Sequence, residues 1–234
     1  MIELVGAIRD HFELDARGEF SIELDPRSVW DGAIALLSEL GFNRVSLGVQ
    51  DFDPAVQKAV NRIQSEEQTF ASVRRLRASG VTRINFDLIY GLPHQTLRSC
   101  IETAKSAAAM RPDRLAVFGY AHVPSFKKHQ SVIDEATLPD CEARSEHALA
   151  IAETLVAAGY RQIGLDHFAR AEDDLTSAHA AGTLRRNFQG YTTDTCRTLI
   201  GFGASAIGQT AQGYVQNDVG LGRYSEHIRN GNLA

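Results

Sequence analysis

Polar residues stand where apolar runs of the sequence end: Glu23 in Phe20–Leu24, Gln50 after Arg44–Val49, Asp87 within Ile84–Tyr90 and His122 after Leu115–Tyr120. In parallel α/β architectures, side chains at the carboxyl ends of strands point into the functional crevice, which makes these residues candidates for acid–base or ligand-binding work. Glu23 sits between Ile22 and Leu24, a placement that turns its carboxylate toward a barrel lumen, where a charge needs a partner. Arg44 and Arg62 are the cations available for an internal salt bridge; the other role is a functional carboxylate. Gln50 and Asp87 either meet a ligand or hydrogen-bond a neighbouring loop. His122 and His167 could form an acid–base pair or ligate a metal, but no third ligand stands at metal-motif spacing, so structural hydrogen bonding is the expected role. Neither a nucleophile elbow nor a Walker lysine is present.

Two loop segments add to the set. Tyr90-Gly91-Leu92-Pro93 joins a strand to a helix through residues that let a ligand approach the backbone closely. Arg185-Arg186-Asn187-Phe188-Gln189-Gly190-Tyr191-Thr192-Thr193 combines an aromatic with many donors, suiting either a planar ligand or an ordered surface loop.

The elements that position these residues alternate. Helices are predicted over Arg27–Leu40, with Val29, Trp30, Ile34, Leu36 and Leu37 on one face, over Ser65–Ser79 with a serine N-cap, and over Thr96–Met110 with Leu97, Ile101 and Ala104 inward. Near-continuous apolar strands separated by such helices predict a parallel sheet covered on both faces. Four βα units are too few for a complete eightfold barrel, so they fit a small open sheet or the later portion of a larger barrel. Beyond Tyr120 the pattern changes. A helix over Cys141–Ala158 should face a core with Leu149, Ile151, Ala152, Leu155 and Val156, followed by a strand at Gln162–Leu165 and a helix over Ala169–Gly182. Leu184–Gly213 reads as loops with a short helical turn.

Composition bounds the partners. The 234 residues are 44% hydrophobic and 23% charged, as in a folded globule rather than a disordered chain. A net charge of −5 argues against a nonspecific nucleic-acid binder. No apolar run reaches a membrane span, and the acidic opening lacks the basic start of a signal peptide. Cys100, Cys141 and Cys196 are odd in number and far apart, which predicts neither a disulfide framework nor a local metal knuckle and fits a cytoplasmic setting. Of 24 basic residues only Lys58, Lys105, Lys127 and Lys128 are lysines; arginine richness follows from a GC-rich genome or from an anionic substrate.

The blocks FSIELDP, GFNRVSLGVQDF, INFDLIYGLPHQT, FGYAHVP, DHFAR, RRNFQGYTT and GFGASAIGQT resemble, in the same order, those of the oxygen-independent coproporphyrinogen III oxidases, radical S-adenosylmethionine enzymes of heme synthesis. The resemblance implies the later portion of a partial (β/α)₆ TIM-like barrel over 1–136 and part of an α+β, substrate-covering C-terminal domain over 137–234. It implies oxidative decarboxylation of two propionates of coproporphyrinogen III to vinyls, giving protoporphyrinogen IX, with an electron donor as further partner. In that family a reduced four-iron four-sulfur cluster cleaves S-adenosylmethionine, and the resulting radical removes a propionate β-hydrogen. Glu23, Gln50, Arg62, Asp87 and Ala121 align with S-adenosylmethionine contacts, Arg62 as partner of the methionine carboxylate and Asp87 of the ribose. Phe188, Gln189 and Ile207 align with positions near a second S-adenosylmethionine, with Phe188 an adenine-stacking candidate and Glu23 expected beside that site too. Glu23 and Gln189 are the candidate catalytic residues. The family's CxxxCxC cluster block and GGGTP block are not in this sequence, and none of the three cysteines matches a cluster position, so the resemblance implies an internal segment that is not a catalyst by itself. A heme-binding or trafficking relative of the same superfamily is the rival, against which RNFQGYTT speaks; a cluster-free, non-catalytic fragment is the third possibility.

Overall fold

The computed structural model describes residues 1–234, which divide into two compact units, Met1–Thr176 and Ser177–Ala234. The first unit contains α1 (Ile2–His11), β1 (Ser21–Leu24), α2 (Asp31–Glu39), β2 (Arg44–Gln50), α3 (Pro54–Ala59), α4 (Glu66–Ala78), β3 (Arg83–Tyr90), α5 (Leu97–Ala109), β4 (Arg114–Gly119), α6 (Cys141–Ala157), β5 (Arg161–Ile163) and β6 (His167–Ala169). These six strands form one sheet in the order β1-β2-β3-β4-β6-β5. The first four run parallel, as the βα alternation requires, and β6 joins β4 antiparallel. α7 (Asp174–Ala180) crosses into the second unit, which holds two antiparallel hairpins, β7 (Arg185–Asn187) with β8 (Gly190–Thr192) and β9 (Ile207–Thr210) with β10 (Gly213–Gln216), and then α8 (Leu221–Arg229).

Local chemistry sets the helix starts. Ser65 Oγ accepts from the Gln68 N–H at the head of α4, and Asp140 Oδ1 accepts from the Ala143 N–H at the head of α6. Thr96 and Ser99 form a reciprocal capping box at α5. Inward faces then pack on the sheet: Ile34, Leu37, Val73, Leu76, Cys100, Ala104, Ala107, Ile151 and Leu155 join Val45, Leu47, Val49, Ile84, Phe86, Leu88, Leu115 and Val117 in one buried cluster.

The strands alternate rather than bury both faces. In β2 and β3 every second residue is buried on the helix side, while Ser46, Gly48, Gln50, Asn85 and Asp87 lie half-buried on the other. Several elements also differ in extent from their apolar patterns. α2 begins at Asp31 after a 3₁₀ turn at Pro26–Ser28, leaving Val29 before the helix and Trp30 66% exposed. On α6, Leu149 and Val156 are exposed and His147 is buried instead, because the core stripe runs through positions 147, 151 and 155. On α5, Leu97 is exposed, with Cys100 and Thr103 inward. β5 stops before Gly164, Ala169 belongs to β6, and the predicted loop 184–213 contains three strands and the opening of β10; strands of three or four residues leave too short a run for alternation to show.

At the amino ends of the strands, Arg44 donates from Nε to Glu19 Oε2 (2.8 Å) and from Nη1 to Asn85 Oδ1 (2.8 Å), while Arg114 Nε bonds both oxygens of Asp173 (2.9 and 3.0 Å). Arg44 is therefore committed to the end of the sheet remote from the strand-end candidates. Phe86, completely buried at the centre of β3, tests the packing: Phe86→Ala should lower the unfolding free energy by about 3–5 kcal/mol, measured by denaturant titration.

Candidate functional site

The parallel register brings the first-unit candidates to one face of the sheet. Glu23 pairs with Ser46, and Ser46 Oγ donates to Asp87 Oδ2 at 3.0 Å. Gly48 pairs with Asp87, whereas Gln50 pairs with Leu88, so a β-bulge intervenes and Gln50 takes φ = 66°. The row from Asp87 continues through Ala116 to His167.

Arg62 closes the group. Its Nη2 donates to the Gly48 carbonyl at 2.8 Å and lies 3.3 Å from Asp25 Oδ2, while Arg27 also grips Asp25. A Cβ on Gly48 would stand 2.8 Å from Gln50 Nε2 and 3.1 Å from Arg62 Nη2, so only glycine lets the amide and the guanidinium converge there. Arg62 Nε is buried without an acceptor, a donor aimed at nothing in the protein. Of the two roles open to Glu23, the internal salt bridge with Arg44 or Arg62 does not form. Arg44 and Arg62 are taken by other acids, and Glu23 tolerates the lack of a cation because it is exposed.

Electrostatics differ among the acids. Burial, reinforced by the Glu23 charge, pushes the Asp87 carboxyl above its ordinary range against the Ser46 hydrogen bond. The Arg27 hydrogen bond holds Asp25 below it. Asp51 is raised by burial although it accepts from Gln95 Nε2 (2.6 Å), Thr103 Oγ1 (3.2 Å) and the Asp53 N–H (2.6 Å). Gln95 Nε2 also donates to the Ile89 carbonyl, and Gln57 Nε2 spans the carbonyls of Asp51 and Gln64, which ties the loops after β2 and β3 together.

The remaining candidates occupy separate settings. Ala121 lies just beyond β4, where the Tyr120 N–H donates to the Tyr90 carbonyl at 2.8 Å. His122 contacts Glu135 (3.1 Å) and His167 contacts Asp166 (2.6 Å), hydrogen bonds of the kind expected from the sequence. Gly91 takes φ = 83°, and a Cβ there would come within 2.4 Å of Arg144 Nη1. In the second unit, Phe188 is exposed at the β7–β8 turn and meets Tyr214 edge-on at 6.3 Å; the Gln189 N–H donates to Asn187 Oδ1, and Ile207 opens β9 half-buried. That unit also holds a cleft of about 410 Å³ whose walls include Arg185, Arg186, Arg197, Asp194 and Gln209. Ser46, Gln57, Gln95, Gln130 and Arg144 have no signal in the sequence: Ser46, Gln95 and Arg144 reach partners 41, 44 and 24 residues away, and Gln57 and Gln130 reach loop backbone 6 to 9 residues away that follows no helix or strand period.

Fit to two groups can be tested on these residues. An orphaned guanidinium donor, a half-buried carboxylate and a glycine cradle suit a zwitterionic nucleoside such as S-adenosylmethionine. An iron–sulfur cluster finds no ligand set among the described residues: no three His, Cys, Asp or Glu side chains gather, Cys141 and Cys196 are exposed, and burial pushes the Cys100 thiol up to about 12.

Residues 2–107 match the family model described as the Radical SAM superfamily, whose members use S-adenosylmethionine and a four-iron four-sulfur cluster. Within it, the chain is homologous over nearly its whole length to proteins named oxygen-independent coproporphyrinogen III oxidase. It is 55% identical to that of Bradyrhizobium diazoefficiens over 232 residues, 99% of this chain and 52% of the relative. It is 48% identical to that of Pseudomonas aeruginosa over 234 residues, 99% and 51%. The solved coproporphyrinogen III oxidase of Escherichia coli, described as a radical SAM enzyme, superposes with a TM-score of 0.95 at 43% identity, covering 99% of this chain and 54% of that one. The chain thus spans about half the length of the curated relatives it matches.

Asp87 offers a pH test. Its folded-state pKa lies above the unfolded value near 3.8, so the residue favours folding only while protonated and opposes it as pH rises through the folded value. Asp87→Asn should raise the thermal midpoint at pH 7 and leave it nearly unchanged at pH 3, by calorimetry at both pH values.

Proposed function

We propose that the complete protein containing this chain is a cytoplasmic enzyme that oxidatively decarboxylates two propionates of coproporphyrinogen III to vinyls, giving protoporphyrinogen IX in heme biosynthesis, and that the activity belongs to the complete protein rather than to these 234 residues. The observation that carries the proposal is the convergence of Gln50, Arg62 and Asp87 on one sheet face, in a chain 55% identical to a named oxidase. Bound S-adenosylmethionine supplies the hydrogen-abstracting adenosyl group. Arg62, steadied by Asp25 and the Gly48 carbonyl, holds the methionine carboxylate through its unpaired Nε–H. Asp87 accepts from the ribose hydroxyls, Gln50 bonds the amino-acid portion from its left-handed position, and Ala121 contacts the adenosine.

Phe188, Gln189 and Ile207 serve a second S-adenosylmethionine, with Phe188 stacking on adenine; Glu23 and Gln189 are the catalytic candidates. The coproporphyrinogen carboxylates meet arginine side chains, and an electron donor feeds a cluster whose ligands lie outside this chain. The proposed division of labour places the barrel portion in 1–136 and substrate covering in 137–234. Neither nucleic acid nor membrane is a partner in this scheme; no helix is long and apolar enough to cross a bilayer.

Two substitutions in the complete protein test the scheme. Glu23→Ala should sharply reduce formation of vinyl product in an anaerobic assay with reductant, S-adenosylmethionine and coproporphyrinogen while leaving the cluster's absorption intact; undiminished turnover would remove Glu23 from the catalytic set. Arg62→Ala, which deletes charge-assisted hydrogen bonds, should weaken S-adenosylmethionine binding by roughly 10- to 100-fold in equilibrium dialysis. Tight heme binding by the unaltered protein without any vinyl product would favour a heme-trafficking role instead.

A further inference from the structure

The segment after β4 is held by side chains from outside it. Gln130, only 8% exposed in a 3₁₀ turn at Lys128–Val132, donates from Nε2 to the Ala121 carbonyl (2.9 Å) and accepts at Oε1 from the Val123 N–H (2.7 Å). One amide thereby grips the backbone on both sides of His122, as a neighbouring strand would. Arg144 Nη2 donates to the Tyr120 carbonyl at 2.8 Å, which fixes the preceding peptide. Between these gripped groups the Ala121 N–H has no partner among the described residues, and Ala121 is exposed. Exposed and held rigidly beside the end of a parallel strand, this donor is open to a ligand acceptor in place of water.

We infer that Gln130 is a positioning residue for S-adenosylmethionine: by clamping the Ala121 carbonyl and the Val123 N–H, it directs the Ala121 N–H at the N1 edge of adenine. The inference rests on the proposed S-adenosylmethionine site and adds to it the element that orients the base. Adenine N1 is an acceptor; in hypoxanthine the same nitrogen carries a proton and cannot accept. A correctly aimed N–H therefore discriminates between the two bases, and a misplaced one does not.

The test measures binding of S-adenosylhomocysteine and S-inosylhomocysteine to the complete protein by titration calorimetry. The unaltered protein should prefer the adenosyl ligand about tenfold, and Gln130→Leu should lose about tenfold on that ligand and little on the inosyl one, which erases the preference. Gln130→Met, of similar volume and able neither to donate to the Ala121 carbonyl nor to accept from the Val123 N–H, should likewise lose the preference while its far-UV circular dichroism matches that of the unaltered protein. Variants that retain the preference, or that weaken both ligands by the same factor, would overturn the role. If the unaltered protein binds neither ligand, the S-adenosylmethionine site itself falls and this inference with it.

Discussion

Taking the Asp51 carboxylate out of water obliges the chain to supply donors, and three separate segments do so. Thr103 reaches it from α5, Gln95 from the loop after β3, and the Asp53 N–H from the head of α3. Each unpaired oxygen would cost about 1–3 kcal/mol, so the carboxylate dictates how these segments meet. The consequence extends to the functional face. The backbone of Gln50 precedes Asp51 directly, and Gln57 binds the Asp51 carbonyl to the segment that ends near Arg62. The buried acid thus fixes the chain just after the bulge that presents Gln50, while Gln57 and the Arg62–Gly48 bond fix the turn that returns Arg62.

The sheet separates two kinds of electrostatics by its polarity. At the amino ends of the strands Arg44 and Arg114 are matched by Glu19, Asn85 and Asp173, a network of ion pairs and hydrogen bonds that locks β2, β3 and β4 to the chain beyond β6 and leaves one buried donor, Arg44 Nη2, without a hydrogen bond. At the carboxyl ends the groups face a ligand or solvent: Arg62 Nε is buried without an acceptor, half-buried Asp87 accepts from Ser46, and the exposed Ala121 N–H meets no protein acceptor. Satisfied polar groups stabilise a fold, whereas preorganised unsatisfied ones favour a ligand that completes them. The four parallel strands carry this division because their carboxyl ends all open on the same edge.

Much of this was legible in the sequence. The four parallel strands and the helices between them follow from apolar runs separated by capped helices, and the strand-end rule selects Glu23, Gln50 and Asp87. What periodicity could not convey was which residues pair across the fold. Arg44 and Arg62 are equivalent cations in the sequence, yet one belongs to the amino end of β2 and the other to a loop folded back on Gly48. Glu23 sits on the expected face, but its exposure removes the need for a salt bridge. Gln130 and Arg144 gain their importance from contacts 9 and 24 residues away in sequence, beyond any local pattern. The short hairpins β7–β8 and β9–β10 were hidden because three or four residues do not make a period.

Under the proposed role of Gln50 in binding S-adenosylmethionine, the left-handed backbone at this residue sets folding and ligand capture against each other. A non-glycine residue there costs on the order of 1 kcal/mol, which glycine would relieve while deleting the amide. Selection for heat resistance alone would therefore drift toward glycine at this site and collect durable but empty proteins, whereas selection that includes occupancy of the pocket would retain the glutamine. Position 50 thus records which of the two pressures a lineage has experienced.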